Sequence, residues 1–406
     1  MSDLATLAKT AFDPDAPRRV GVAVSGGSDS MATLHLLAPF YEVHAVTVDH
    51  GLRPEAGAEA QFVAAACARL GVPHQVLHWR GSEATGNLMD AARRARMRLI
   101  GDWARGQGLD HIALGHTADD QAETFLMRLA REAGLEGLSG MRRSYQSDGA
   151  HWHRPFLDVT RAELRQYLRD AGIAWVDDPS NSDPRFERVR ARAALAGLSD
   201  IGITAEGLAR VVGHLAQARA ALDAGLELFV ADYVVQDRGA LRIDRAAFTR
   251  DLAPELQRRL LNAALIWVSG ADYPPRAAKL ERFLHDPEPC TLHGCQIIRH
   301  GAYLYVAREF SAVADLRVPC DQIWDGWSLE ALDGQDVSGL TIAALGPSGL
   351  PQCPDWRATN LPREALLASP AIWAQEKLIA APFAGFENGW KARKEASSFA
   401  ATIFRR

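Results

Sequence analysis

Cysteine is scarce in this 406-residue chain, and no long apolar run is present. The five cysteines are odd in number and scattered, which argues against a disulfide framework and suits a reducing compartment: Cys67, Cys290, Cys295, Cys320 and Cys353. No segment approaches the roughly 20 apolar residues that cross a bilayer. Residues 1–10 contain Asp3 and lack the apolar core of a secretory signal. We therefore expect a cytoplasmic protein without membrane association.

A strong excess of basic charge is also lacking, since the formal net charge is −5. This balance argues against a protein that coats nucleic acid without specificity, but it allows RNA binding through a local basic surface. Arginines are clustered at 93–98, at 142–143 and at 185–192. A solvated helix face explains any one of these clusters. Several of them near one site would indicate RNA contacts.

The first two hundred residues alternate between strand and helix patterns. We expect strands at 18–24, 42–48, 73–79 and 111–114, and helices at 56–70, 88–105 and 118–129. Such alternation predicts a parallel sheet with right-handed crossovers, which binds ligands at the carboxyl ends of its strands. The polar segments SGGSDS, DHGLR and GHTADD follow the first, second and fourth strands. They are therefore predicted to meet at one edge of the sheet.

The loop after the first strand has the composition of a phosphate-binding loop: Ser25, Gly26, Gly27, Ser28, Asp29 and Ser30. Glycines let the backbone approach an anion, and a helix N-terminus favours negative charge. The lysine of a Walker A motif is lacking, which favours chemistry at the α-phosphate with pyrophosphate as the leaving group. The alternative is a tight turn in which Asp29 or Ser28 caps the helix.

The fourth strand is followed by an acidic helix start with Asp119, Asp120 and Glu123. Asp120 and Glu123 are three residues apart and share a helix face. They could hold Mg²⁺ or the ammonium group of an amine substrate. The alternative is that these acids only offset the helix dipole, which explains Asp119 well. His116 precedes them, although a lone histidine is more often structural.

Four ordered segments resemble one enzyme family. Residues 25–30 are similar to the SGGxDS loop of the ATP pyrophosphatases, and residues 48–53 (VDHGLR), 115–124 (GHTADDQAET) and 177–192 resemble motifs of the lysidine synthetases within that superfamily. Two positions depart from the family pattern. Val189 stands where the family has asparagine, and Glu132 stands where it has glycine. These departures put local RNA or loop contacts in doubt.

The resemblance implies a reaction and its participants. With ATP and Mg²⁺, the wobble cytidine at position 34 of a CAU-anticodon tRNA(Ile) is adenylated. L-lysine then replaces AMP to give lysidine, which changes decoding from AUG to AUA. The resemblance places adenosine near Val48 and His50 and assigns active-site roles to six residues, with Mg²⁺ at Asp120 and Glu123: Asp29, His116, Asp120, Glu123, Arg188 and Arg192. Alternatives for Arg188 and Arg192 are contacts with tRNA phosphate or a solvated helix face.

The strand–helix alternation stops near residue 200. We expect a catalytic α/β domain at 1–199, a mainly helical domain at 200–310 and a small α+β domain at 311–406, the last two recognising tRNA as the resemblance implies. A homodimer is left open. The nearest alternative function is a tRNA thiolase of the same superfamily, but such enzymes need reactive cysteine, and the α/β part contains only Cys67. A metabolite synthetase and a non-catalytic RNA-binding module are further alternatives.

Overall fold

A computed structural model describes residues 4–13, 15–16, 18–49, 51, 56–79, 88–147, 149–177, 185–271, 273–275, 277–332, 337–395 and 398–403. The chain divides into two compact units, Met1–Ala220 and Ala221–Arg406. The three-domain division stays a prediction. No helix in these described ranges is long and apolar enough to cross a membrane.

The first unit is built on a six-stranded sheet. Its strands are β1 Arg19–Ala23, β2 Glu42–Asp49, β3 His74–His78, β4 His111–Leu114, β5 Ser144–Ser147 and β6 Ala150–His153. They lie in the order β3-β2-β1-β4-β6-β5, and only β5 is antiparallel to its neighbour. The strand order reverses at β1, which has β2 on one side and β4 on the other. Such a switch point opens a ligand crevice at the carboxyl ends of the two flanking strands.

Nine described α-helices begin within this unit, and the last of them extends past Ala220. They are α1 Leu4–Lys9, α2 Ser28–Leu37, α3 Ala56–Leu70, α4 Leu88–Gln107, α5 Ala118–Leu129, α6 Leu135–Leu138, α7 Arg161–Asp170, α8 Glu187–Leu198 and α9 Ala205–Tyr233. One buried cluster joins β1 to α2, α3 and α7 through Val22, Met31, Val63 and Leu164. A second cluster contains Trp103 of α4. A parallel sheet that is covered by helices on both faces requires two such cores.

The sequence-based elements of this unit agree closely with the structure. The predicted helix at 56–70 and strand at 111–114 match α3 and β4 residue for residue, and the parallel sheet is confirmed. Strands β5 and β6 were not expected. Each is only four residues long (SYQS and AHWH) and carries no run of apolar residues. They are stabilised by pairing with each other and with β4 rather than by a local pattern.

The described residues of the second unit form three sheets. A five-stranded sheet has the order β7-β8-β11-β10-β9, with β7 Val234–Asp237, β8 Ala240–Asp244, β9 Cys290–Leu292, β10 Cys295–His300 and β11 Tyr303–Arg308. Helices α10 Arg245–Asp251, α11 Pro254–Ser269 and α12 Ala277–His285 accompany it, and α11 supplies buried residues such as Leu261 and Leu265 to its core. The region contains helices, as expected, together with the five strands of this sheet.

The remaining strands form two smaller sheets. They are β12 Arg317–Pro319, β13 Trp327–Ala331, β14 Thr341–Ala344, β15 Pro370–Ala374, β16 Lys377–Ala380 and β17 Trp390–Lys394. One sheet has the order β12-β14-β15-β16 and the other pairs β13 with β17. Short helices α13 Gly346–Gly349, α14 Arg363–Leu367 and α15 Phe399–Ile403 complete the unit. Trp324 and Trp390 are fully buried and therefore belong to the core of this unit.

Candidate active site

The loop between β1 and α2 is shaped by its own hydrogen bonds. Gly26 has φ +88°, a left-handed conformation that other residues adopt only with strain. The Ser25 N–H donates to Ser30 Oγ at 3.1 Å, and Ser30 Oγ donates to the Gly27 carbonyl at 3.0 Å. The Gly26 carbonyl accepts from the Val176 N–H at 2.9 Å. Ser30 therefore holds the loop in place rather than extending from it.

Helix α2 begins after Gly27 without a side-chain cap. This observation rules out the alternative in which Ser28 or Asp29 caps the helix. Ser28 Oγ instead donates to Asp29 Oδ1 at 2.9 Å. A helix N-terminus without a side-chain cap, preceded by two glycines, can offer N–H groups to an anion. This geometry suits a phosphate group, and the loop Ser25–Ser30 is the candidate phosphate-binding loop.

The loops after β1 and β4 touch at Gly115. A Cβ carbon built on Gly115 would lie 2.8 Å from the Asp29 carbonyl oxygen and 2.9 Å from Ser30 Cα, closer than real Cβ atoms come to backbone. Any larger residue at position 115 would push the two loops apart. The absence of a side chain here places the phosphate loop directly beside the acidic helix.

Asp120 caps helix α5. The Thr117 N–H donates to Asp120 Oδ2 at 2.9 Å, and the Asp120 N–H donates back to Thr117 Oγ1 at 3.4 Å, which together form a capping box. Its other oxygen, Oδ1, lies 3.5 Å from guanidinium nitrogens of both Arg161 and Arg188. Burial acts to raise the pKa of Asp120, but His116, Arg161, Arg188 and the Thr117 N–H outweigh it and hold the pKa below its ordinary value. The Asp120 carboxylate therefore both completes the capping box of α5 and carries a stable negative charge.

Arg161, the first residue of α7, joins the phosphate loop to the acidic helix. Its Nε donates to Asp29 Oδ2 at 2.9 Å, and its Nη1 lies 3.4 Å from Glu123 Oε1. Its backbone N–H donates to Asp119 Oδ2 at 2.7 Å. Burial acts to lower the pKa of Arg161, but Asp29, Asp120 and Glu123 together raise it. The guanidinium group is thus a permanent cation in this cluster.

Sequence reasoning missed Arg161. The T-x-x-E capping box of Thr160 and Glu163 can be recognised in the sequence and predicts that a helix begins at 161. Only the fold brings this helix start, 132 residues after Asp29, to the acidic cluster. Arg165, one turn later, was missed as well. Its Nε donates to Ser28 Oγ at 3.2 Å, and its Nη2 donates to Asp177 Oδ1 at 2.7 Å.

Helix α8 brings the two expected arginines to the acids. Arg192 Nε donates to Glu123 Oε1 at 2.5 Å, and Arg188 Nη1 lies 3.5 Å from Asp120 Oδ1. Their side chains are 34% and 39% exposed, so both are also accessible to a large substrate. Val189, which departs from the family pattern, lies half-buried between them on the same helix. The neighbouring positions 178–184, including Ser180 and Asn181, lie outside the described residues.

The two carboxylate oxygens of Glu123 differ in their contacts. The side chain is 1% exposed, and its Oε1 is engaged by Arg161 and Arg192. Its Oε2 is buried and has no hydrogen-bond partner among the residues that the structure describes. Around it, four carboxylates (Asp29, Asp119, Asp120 and Glu123) face three guanidinium groups (Arg161, Arg188 and Arg192). Among these side chains of the described residues, the Glu123 carboxylate thus keeps one open acceptor, which suits a small cation.

This arrangement does not suit a metal ion held by the protein alone. Mg²⁺ takes six oxygen ligands in a nearly octahedral shell. The three other oxygens of Asp120 and Glu123 face arginines or serve the helix cap, so the pair leaves only Glu123 Oε2 open. Within the described parts of the chain, no group of three or more His, Cys, Asp or Glu side chains could hold a metal.

The second strand ends beside this edge of the sheet. Val48 is half-buried in β2, and Asp49 Oδ1 accepts the Gly51 N–H at 2.8 Å, which fixes the turn that follows. His50, expected near adenosine, lies outside the described residues. Five expected residues therefore form one connected network with Arg161, with His116 as an electrostatic neighbour of Asp120: Asp29, Asp120, Glu123, Arg188 and Arg192.

The chain is similar in sequence to a family of known proteins. Residues 2–198 match the model of a PP-loop domain family. The chain is 46% identical to a tRNA(Ile)-lysidine synthase of Ruegeria pomeroyi, covering 97% of this chain and 95% of the relative. It is 31% identical to a protein of the same name from Wolbachia pipientis, covering 90% and 88%. Among solved structures, a U34-tRNA thiolase from Methanococcus maripaludis aligns with a TM-score of 0.46 at 16% identity, over 53% of this chain and 78% of that one.

Proposed function

Because the chain belongs to the tRNA(Ile)-lysidine synthase family, we propose that it ligates L-lysine to C2 of the wobble cytidine, at position 34, in a CAU-anticodon tRNA(Ile), consuming ATP and releasing AMP and diphosphate. The observation that carries this proposal is the open, buried Glu123 Oε2 within the cluster of carboxylates and guanidinium groups, directly beside the candidate phosphate-binding loop. A nucleotide and an amine can therefore bind next to each other.

The first step activates the base. ATP binds with its triphosphate on the loop Ser25–Ser30 and its adenosine near Val48 and His50. The cytidine O2 attacks the α-phosphorus, diphosphate leaves, and the base carries AMP at C2. The N-terminal end of α2 stabilises the charge that develops on the phosphates. Mg²⁺ would be held mainly by the phosphates of ATP, and no step here depends on it.

The second step joins lysine to the activated carbon. The ε-amine attacks C2 and AMP leaves with the bonding electrons. The amine must first lose a proton, since its solution pKa is about 10.4. Glu123 and Asp120 are both candidate bases. We favour Glu123, because Asp120 caps α5 with one oxygen and faces Arg161 and Arg188 with the other.

Selection of the correct RNA requires contacts beyond the pocket, because many RNAs contain cytidine. We infer that regions 200–310 and 311–406 bind the body of the tRNA and so convert remote binding energy into specificity. Arg188 and Arg192, which are partly exposed at the mouth of the acidic cluster, are the candidates for contact with tRNA phosphate or with the adenylate. A homodimer stays a prediction.

The test is incorporation of labelled lysine into tRNA. A CAU-anticodon tRNA(Ile) transcript should take up lysine only when ATP is present, and a transcript with uridine at position 34 should take up none. The alternative thiolase activity would transfer sulfur instead. The tRNA(Ile)-lysidine synthase relatives, which align over most of the chain, favour the ligase. Equal labelling of both transcripts, or none of either, would contradict the proposal.

A further inference from the structure

Arg161 stands between the two halves of the candidate site. Its guanidinium donates through Nε to Asp29 in the phosphate loop, and its Nη1 faces Glu123 on the acidic helix. Its side chain is 18% exposed and its backbone N–H is bound by Asp119. An arginine fixed at both its backbone and its side chain has few accessible rotamers. It can therefore impose its orientation on the groups that it touches.

The group whose orientation matters is the Glu123 carboxylate. Arg161 and Arg192 both bind the same oxygen, Oε1. This shared contact defines which oxygen is left open and where it points, since a carboxylate held at one oxygen by two guanidinium groups cannot rotate freely. Without Arg161, the single contact with the more exposed Arg192 would remain.

Asp29 supplies the anchor for Arg161. The Asp29 carboxylate is 17% exposed, and Ser28 Oγ donates to its other oxygen at 2.9 Å. Gly115 holds the backbone of Asp29 against the loop that leads into the acidic helix. The chain of contacts thus runs from the phosphate loop through Arg161 to Glu123.

We propose that Arg161 is a positioning residue for the amine-transfer step, acting through Glu123 by keeping its free oxygen directed at the incoming amine. This inference rests on the proposed lysine ligation. It assigns no contact between Arg161 and the substrate. It does require that loss of Arg161 matters only while the Glu123 carboxylate is present.

A double-mutant cycle tests this requirement on the isolated transfer step. Wild type, Arg161→Met, Glu123→Gln and the double variant are loaded with tRNA and ATP, and lysine transfer is then followed in a single turnover. We expect Arg161→Met to slow transfer by about 10- to 100-fold, the range of a charge-assisted hydrogen bond. Diphosphate release before lysine is added should change by less than about threefold. The double variant should be no slower than Glu123→Gln.

Three further variants separate positioning from folding. Arg169→Met removes an exposed arginine from the same helix, bound to Gln166, and should leave transfer unchanged. Added methylguanidinium should partly restore the rate of lysine transfer in Arg161→Ala. Arg161→Lys replaces Arg161→Met in the double-mutant cycle if the methionine variant does not fold. The inference is wrong if the effects of Arg161→Met and Glu123→Gln on transfer multiply in the double variant. It is also wrong if Arg161→Met slows diphosphate release as much as it slows transfer. A wild-type protein that transfers no lysine would instead refute the proposed function.

Discussion

Gly115 lies so close to Asp29 that a single added methyl group would be 2.8 Å from the Asp29 carbonyl oxygen. This contact brings the carboxyl ends of β1 and β4 together, and it places the phosphate loop and the acidic helix side by side. The two-step chemistry depends on that proximity, because an adenylate formed on one loop must be attacked by an amine held on the other.

Substitution of Gly115 by alanine should therefore separate the two loops. The clash is with backbone atoms, which cannot move aside as a flexible side chain can. We expect a loss of about 1–3 kcal/mol of unfolding free energy and a large loss of lysine incorporation. Urea denaturation and the incorporation assay measure the two effects. Gly134→Ala is the matched control, since a Cβ carbon there meets no atom within 4 Å. Normal activity in Gly115→Ala would show that the close contact is not needed.

Asp120→Asn should abolish lysine incorporation while the protein stays folded. Asparagine keeps an oxygen that can accept the Thr117 N–H, but it loses the charge that faces Arg161 and Arg188. We expect a loss of activity of at least about 100-fold, with a change in unfolding free energy of about 1–2 kcal/mol. Asp119→Asn, in the same helical turn, should be much less affected. Full activity in Asp120→Asn would remove this residue from the mechanism.

Glu132→Gly should make the protein more stable. Glu132 follows α5 with φ +56°, a left-handed conformation that costs a residue with a side chain about 1–2 kcal/mol. Glycine removes this strain, although it loses more backbone entropy on folding. The net gain should be about 0.5–1 kcal/mol, measurable as a higher midpoint of urea denaturation. Ala133→Gly, at a residue without a positive φ, should instead destabilise the protein. A lower midpoint for Glu132→Gly would contradict the strain argument.

Three histidines on the neighbouring strands β4 and β6 should make the fold sensitive to acid. His111 Nδ1 lies 2.9 Å from His153 Nε2, and the His111 ring stacks on those of His151 and His153. Burial, with His111 and His151 nearby, lowers the pKa of His153 from 6.5 to about 4, although Asp13 opposes the shift. Burial likewise lowers the pKa of His111.

Protonation of His153 should destabilise the folded protein. Below pH 6.5 the unfolded chain binds a proton at His153 that the folded protein binds only near pH 4, so stability falls as the pH drops between these values. The His153 contribution amounts to about 3 kcal/mol in all. Denaturation midpoints measured from pH 7 to pH 4 should show this loss, and His153→Gln should show less of it. Equal pH dependence in both proteins would place the acid sensitivity elsewhere.

Regular elements of the first unit were predictable from the sequence because local patterns determine them. The alternation of strands and helices predicted the parallel sheet, and with it the meeting of SGGSDS and GHTADD at one edge. Asp29, Asp120, Glu123, Arg188 and Arg192 followed from motifs, and their contacts agree with a shared site.

The parts that were missed depend on long-range contacts. Arg161 belongs to an ordinary capped helix, and its importance arises only where α7 packs against α2 and meets α5. The capping box at Thr117 and Asp120 could have been found by its spacing, but not the division of the two Asp120 oxygens between the cap and the arginines. Strands β5 and β6 are too short and too polar to be recognised without their partners.

The most direct test of this two-step reaction identifies the nucleotide that it releases. ATP labelled at the α-phosphate is incubated with the protein, lysine and a CAU-anticodon tRNA(Ile), and the products are separated. We expect labelled AMP in a one-to-one ratio with the lysine incorporated, and diphosphate in the same amount. Labelled ADP with free phosphate would contradict the account, because the loop Ser25–Ser30 would then support transfer of the γ-phosphate.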